Sequence, residues 1–230
     1  MTGIADNIKF VREAIAEAAA KTGRAPGDIT LVAAAKTKPA EMIRQAIAAG
    51  VDAVGENRVQ EMLEKRMQGA YQGAPLHYIG HLQSNKVRQI VGVCDLIESV
   101  SSPALLESIG NKAVSLGLVQ DMLIEINIGR EQQKSGILPE NTAEILELAS
   151  RTAGVNVLGL MSVPPVFVEN ERNCYYYDIM FNLFIDMSKN KYDNVSMKFL
   201  SMGMSDSYNS AILAGSNMVR IGSAIFGDRP

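Results

Sequence analysis

The sequence predicts an α/β fold in which eight parallel strands, each followed by a helix, close into a single (β/α)8 barrel. Three observations lead there. Short apolar and β-branched runs alternate with segments whose apolar residues recur at helical spacing, from Ile29 to the end of the chain. The alternation repeats eight times in 230 residues, where a doubly wound sheet uses about five or six strands and one barrel occupies roughly 200 to 250 residues. The chain is 47% hydrophobic and no linker or low-complexity stretch divides it. Residues 1–230 therefore read as one domain, with residues 1–22 as an extra N-terminal helix packed on the barrel.

Each element has its own signal. Ile4, Ile8, Val11, Ile15 and Ala18 form one stripe of an amphipathic helix that stops before Gly23 and Pro26. Ile29 to Lys36 reads as the first strand, and Pro39 opens a helix that runs to Ala49 and closes at Gly50. Ala53 to Gly55 is a short strand, with Asn57 placed to cap the helix Arg58 to Met67. Strand Leu76 to Ile79 leads to helix Ser84 to Val91, strand Leu96 to Val100 to helix Pro103 to Leu116, and strand Met122 to Ile126 to helix Pro139 to Arg151. Strand Val155 to Leu160 precedes a longer helix between Asn173 and Asn190. Strand Met197 to Leu200, a short helix after Asp206, strand Met218 to Ile221 and a helical turn at Ser223 to Phe226 complete the pattern. Val163 to Tyr177, with Pro164, Pro165 and three tyrosines, reads as a surface loop and a candidate partner surface.

Composition excludes several function classes. A net charge of −3, from 22 basic and 25 acidic residues spread along the chain, leaves no footprint for nucleic acid or an anionic membrane. No apolar run approaches the ~20 residues of a membrane span, and the charged N-terminus lacks the apolar block of a signal peptide. The expectation is a cytoplasmic protein. Cys94 and Cys174 have no metal-like spacing and read as free, buried thiols of a reducing compartment.

In a parallel barrel, chemistry sits where strands end and loops begin. Strand alternation puts Thr30, Val32, Ala34 and Lys36 on one face, so Lys36 finishes a row of buried positions. Desolvation favours the neutral amine that attacks an aldehyde, which makes Lys36 a candidate Schiff-base lysine. The other reading is a lysine that leaves the strand for water. LSMGMSDS (Leu200 to Ser207) and MVRIGSAIFG (Met218 to Gly227) both put glycine and serine between a strand and a helix start. Ser205, Gly222 and Ser223 could form a paired anion cradle after strands seven and eight, or be ordinary turn and cap residues. Arg220 points inward if the alternation holds, and its guanidinium needs an acceptor: a pyridine nitrogen, a carboxylate, or a buried ion pair with Glu56 or Asp206. Arginine only donates, so a pyridine facing it stays unprotonated and is a poorer electron sink. His77 and His81 lie four apart on strand and turn without a third ligand, which disfavours a metal site. Lys134 reads as a solvated loop lysine, and Tyr175, Tyr176 and Tyr177 as the half-buried start of a helix.

Taken together, AAAKTK (Ala33 to Lys38), GENRVQE (Gly55 to Glu61), HYIGHLQSNK (His77 to Lys86), EINIGREQQKSG (Glu125 to Gly136), GLMSVPP (Gly159 to Pro165), LSMGMSDS and GSNMVRIGSAIFG (Gly215 to Gly227) resemble the YggS/PROSC family. These are pyridoxal-phosphate homeostasis proteins, relatives of the alanine racemase barrel, and the resemblance spans nearly the whole chain. It implies that Lys36 is the Schiff-base lysine and that Ser205, Gly222 and Ser223 hold the phosphate. It also implies that Arg220 faces the pyridine nitrogen and that Asn57 is a weaker polar neighbour of the cofactor. Asn217, where relatives commonly have threonine, and Ile97 to Ser101, where a histidine is often seen, depart from the pattern.

The resemblance implies binding of pyridoxal 5′-phosphate without an established turnover reaction. Racemisation needs a second base, which the racemase takes from an additional β-domain of its partner subunit; the chain ending at Pro230 is expected to lack one and to be a monomer. Three functions stay open on the sequence. One is a carrier that passes the cofactor to apo-enzymes, another is a weak amino-acid racemase, and the third is a cofactor-sensing module that binds a partner through Val163 to Tyr177.

Overall fold

The computed structural model describes residues 3–165 and 170–227. Helix α1 (Ile4–Lys21) precedes the barrel and buries Ile8, Val11, Ile15 and Ala18 of the predicted stripe, with Ile4 half-buried at its start. Then follow β1 (Thr30–Ala34), α2 (Ala40–Ala48), β2 (Ala53–Glu56), α3 (Val59–Met67), β3 (Leu76–Tyr78), α4 (Val87–Ile90), β4 (Leu96–Val100), α5 (Pro103–Ser115) and β5 (Gln120–Ile126). The second half adds α6 (Thr142–Arg151), β6 (Val155–Ser162), α7 (Asn170–Ser188), β7 (Val195–Ser201), α8 (Tyr208–Leu213), β8 (Met218–Ile221) and α9 (Ser223–Phe226). Each strand pairs in parallel with the next, and β1 pairs with β8, so the eight strands among the described residues close into a barrel.

Closure follows from burial. In an open parallel sheet β1 and β8 would present apolar edges, whereas here Thr30 to Ala33 register against Met218 to Ile221. Val32, Ala53, Leu96, Leu123, Met161 and Met218 interlock as an apolar floor inside the barrel. Outside, α1 covers the closing seam: its apolar face joins the cluster that includes Ile43, Tyr208, Ile212 and Ile225. Asn7 Nδ2 also donates to the Ile225 carbonyl at 2.9 Å. Arg24, just past the helix, donates to the Ser216 carbonyl at 2.7 Å and to that of Ile212, tying the N-terminal segment to the end of the chain.

Several expectations need correction. Asn57 does not cap α3; the N-cap position is Arg58, with no side-chain cap bond, and the helix buries Val59, Met62 and Lys65. Val163 to Pro165 are loop and residues 166–169 lie outside the described residues, but α7 begins at Asn170, so the stretch to Tyr177 is not loop throughout. The three tyrosines lie near the start of the helix, as expected, which opens three residues before Asn173. Tyr177 is buried and donates to Ser207 Oγ at 2.8 Å, while Tyr175 is 61% exposed. Of the two cysteines, Cys94 is buried and its thiol is pushed up to about 12 by burial, whereas Cys174 is only half-buried. No helix among the described residues is long and apolar enough to cross a membrane.

Candidate functional site

The C-terminal ends of β1, β2, β7 and β8 surround a cavity of about 430 Å³ at the barrel mouth. Lys36, Asn57, Ser205, Arg220, Gly222 and Ser223, drawn from four separate stretches of the chain, all line it. The cavity straddles the seam at which the barrel closes, so the first and last strands build it jointly. Val163 and Ile79 add apolar walls, and Lys38 and Asp206 stand at the rim.

β1 stops at Ala34, two residues short of Lys36. Lys36 is half-buried in a tight turn closed by the Lys38 N–H donating to the Ala35 carbonyl at 3.1 Å. The turn keeps the predicted inward direction without extending the strand.

On the opposite wall, Ser205 is a cap, but for a helical turn other than the one that follows it in sequence. Its hydroxyl oxygen accepts from the N–H of Gly222 at 3.1 Å and of Ala224 at 3.3 Å, so the serine after β7 caps the helical turn after β8. Gly203, at φ +99°, makes the bend that brings it there; a Cβ would meet Ala211 Cβ at 2.7 Å. The two loops thus form one nest of backbone N–H groups and hydroxyls.

Arg220 is buried on β8, and its partner is neither Glu56 nor Asp206. Nη1 donates to Ser201 Oγ and Nη2 to the Ser162 carbonyl at 2.9 Å, with Glu98 Oε2 at 3.8 Å. Glu98, on β4 and fully buried, accepts from Ser201 Oγ at 2.6 Å and meets His77 Nδ1 at 2.7 Å. An ionised carboxylate only accepts, so Nδ1 of His77 carries the proton. Burial alone would push the Glu98 carboxyl up, but His77, Arg220 and Ser201 together hold it below its ordinary value. Burial lowers Arg220, against the pull of Glu98, Tyr177 and Glu125. Side chains of four strands, with a carbonyl of a fifth, therefore meet in one polar layer above the apolar floor.

Glu98, His77 and Ser201 are residues to which sequence reasoning assigns no role. The spacing of His77 and His81 disfavours a metal site, and the structure gives His77 a carboxylate partner. The signal was present in Glu98, a carboxylate inside the apolar run LIESV, which a barrel interior tolerates only with a buried cation. Glu56 faces the other way, to the outer side of β2. It pairs with Lys65 Nζ at 2.8 Å and accepts from Tyr71 OH at 3.0 Å, and burial outweighs both to push its carboxyl up.

Two buried oxygens near the barrel mouth have no hydrogen-bond partner: Asn57 Oδ1, on a residue that lines the cavity, and Ser162 Oγ, one residue before the lining Val163. Buried polar atoms are rarely left so, and that of Asn57, on the wall of a polar cavity, fits a ligand that supplies donors or an ordered water. Gly80 packs so closely on Asn57 that a Cβ would lie 2.1 Å from the Asn57 carbonyl oxygen, which fixes that residue at the wall. A second cavity, of about 390 Å³, adjoins the first through Asn57, Ile79 and Val163. Glu125, His81 and Lys134 line it, so Lys134 is not simply a solvated loop residue; it also pairs with Glu131. Asn217, one of the departures from the family pattern, bridges to β7 by accepting from Leu200 N–H and donating to the Lys198 carbonyl, each at 2.7 Å.

Comparison with known proteins agrees with this geometry. The model of the alanine racemase N-terminal domain matches residues 4–230. The pyridoxal phosphate homeostasis protein of Aquifex aeolicus is 38% identical over 224 residues, covering 97% of each chain. This chain belongs to that family. The homeostasis protein of Escherichia coli is 39% identical over 235 residues, covering 100% of this chain and 98% of its own. Among solved structures, PipY of Synechococcus elongatus with pyridoxal phosphate bound superposes with a TM-score of 0.80 at 30% identity, over 93% of this chain and all of that one. An alanine racemase of Clostridium difficile shares the fold, with a TM-score of 0.74 at 19% identity, over 98% of this chain and 57% of the racemase.

Proposed function

We propose that this chain binds pyridoxal 5′-phosphate in the cavity at the barrel seam and serves intracellular supply of that cofactor, holding it through Lys36 and delivering it to apo-enzymes. One observation supports the reading above the others: an amine, an N–H and hydroxyl nest and a buried guanidinium converge on a single cavity of about 430 Å³. The homeostasis relatives and the cofactor-bound PipY support the choice of ligand.

The roles follow from the chemistry of the side chains. Ser205, Gly222 and Ser223 would hold the phosphate. The Ser205 oxygen accepts from the Gly222 N–H and still has its own proton to donate, the Ser223 hydroxyl adds a second neutral donor, and Gly222 would turn its N–H from Ser205 to the dianion. Lys36 would supply the amine that condenses with the aldehyde, losing one water. Arg220 would present its guanidinium toward the ring nitrogen, and Asn57 Oδ1, now without a partner, would accept from a donor in the cavity. When bound, the cofactor supplies an electrophilic carbon and an electron-withdrawing ring.

Arg220 is committed to Glu98 and Ser201 and has no acceptor atom to offer. It therefore cannot share a proton with a ring nitrogen as a carboxylate would, which favours holding over turnover. The chain is read as one domain, a cytoplasmic monomer. Borohydride treatment of protein mixed with the cofactor is expected to fix one equivalent on Lys36. A Lys36→Ala variant that retains a reducible adduct at the same stoichiometry would overturn the assignment. Deuterium exchange at the α-carbon of amino acids well above the rate of free cofactor would replace the carrier reading with a racemase.

A further inference from the structure

Lys36 occupies the second position of the turn Ala35 to Lys38, and Thr37, the third, has φ +63°. Positive φ at that position suits glycine or asparagine, and a β-branched threonine adopts it only when its surroundings leave no alternative. Helix α3 supplies the constraint. Glu61 Oε2 accepts from the Thr37 N–H at 2.9 Å, and Lys65 Nζ donates to the Ala35 carbonyl at 3.0 Å. The two contacts are coupled, since Lys65 Nζ lies 3.6 Å from Glu61 Oε2 and 2.8 Å from Glu56 Oε1.

We infer that Glu61 and Lys65 are positioning residues for Lys36, gripping the peptide planes on both sides of it and so fixing the direction in which its side chain leaves the backbone. Neither residue lines the cavity. The physical alternative they suppress is a flip of the peptide between Lys36 and Thr37. A flip gives Thr37 an ordinary negative φ but turns the Lys36 carbonyl oxygen toward the Glu61 carboxylate, which repels it. Lys65, 8% exposed, fixes the preceding plane with a charge that Glu56 and Glu61 balance. The inference rests on the proposed attachment at Lys36, and it explains why a threonine suffices where an unsupported turn would call for glycine.

Glu61→Met removes the acceptor at a position that is partly open to solvent, so the fold survives; Glu61→Gln keeps an acceptor. Amide hydrogen exchange at Thr37 in cofactor-free protein reads the grip without any bound group. Glu61→Met is expected to speed that exchange about tenfold or more, the worth of a hydrogen bond to a charged group, and Glu61→Gln to stay near the parent. Borohydride-trapped adduct on Lys36 at limiting cofactor is expected to fall severalfold in Glu61→Met. Adding Thr37→Gly, which needs no support for positive φ, should restore it while exchange stays fast. Parent-like exchange in Glu61→Met, or a loss of adduct that Thr37→Gly does not recover, would overturn the inference. No adduct on Lys36 in the parent protein would overturn the attachment itself, and Thr37 exchange would still judge the grip.

Discussion

Arg220 and Glu98 hold opposite charges inside a barrel where neither could stand alone. Removing one partner of a buried pair typically costs about 3–5 kcal/mol, because the other charge stays behind without compensation. Arg220→Met is expected to lower stability by an amount in that range, read by urea unfolding at neutral pH. A loss below about 1 kcal/mol would show that Ser201 and His77 can stabilise Glu98 without the arginine. The pair also makes a pH prediction. The Glu98 carboxyl lies below its ordinary value in the folded chain. Its contribution is thus present above the unfolded value and is lost as pH falls through the folded one. The stability gap between the parent protein and Glu98→Gln should therefore be widest at neutral pH and close in acid, below about pH 4. A gap independent of pH would mean that the carboxylate charge contributes nothing. Residues also mark the limit of sequence reading. Arg220 could be placed by strand alternation, since that needs only its own neighbours. Its partner could not, because β4 and β8 are strangers in sequence and meet only across the closed barrel.

Elements were legible in proportion to how local their causes are. β4, β8 and α9 begin and end where turn and cap signals put them, and the stripe of α1 is buried as its spacing requires. Asn57 was misread because a polar residue before a helix usually caps it; here Gly80 on the neighbouring loop lies so close that Asn57 is held at the cavity wall. That contact depends on a missing Cβ. Gly80→Ala would place a methyl group 2.1 Å from the Asn57 carbonyl oxygen and 2.6 Å from its Cα, so the loop after β2 or the loop after β3 must move. We expect a loss of about 2–3 kcal/mol, of the size that overpacking produces, together with weaker cofactor retention, measured by thermal melts and equilibrium dialysis. Unchanged retention in a destabilised variant would separate Asn57 from the site. The start of α7 differs by three residues, at Asn170 against the expected Asn173: Pro164 and Pro165 mark the break after β6, but no cap signal fixes where the helix begins.

At the scale of the whole molecule, the cavity belongs to the first and last strands at once. Lys36 follows β1, Gly222 and Ser223 follow β8, and α1 with Arg24 straps the same seam from outside. A ligand gripping both sides of the seam stabilises the closure on which the remaining pairings depend, so its effect should reach the entire fold. Binding only to the folded state adds RT ln(1 + [L]/Kd), about 2.7 kcal/mol at a hundredfold excess over Kd. For a chain of this length that raises Tm by roughly 5–10 °C. The parent protein with pyridoxal phosphate should therefore melt in one transition, displaced by that amount. Far-ultraviolet circular dichroism and the absorbance of the bound cofactor should report the same midpoint. Lys36→Ala should keep part of the shift, since the proposed phosphate nest is intact, and Ser205→Ala should lose part of it while keeping the reducible adduct. Cofactor release well below the unfolding midpoint would mean that the seam opens locally. The site would then be a flap on a self-sufficient barrel, and the link between binding and closure would fail.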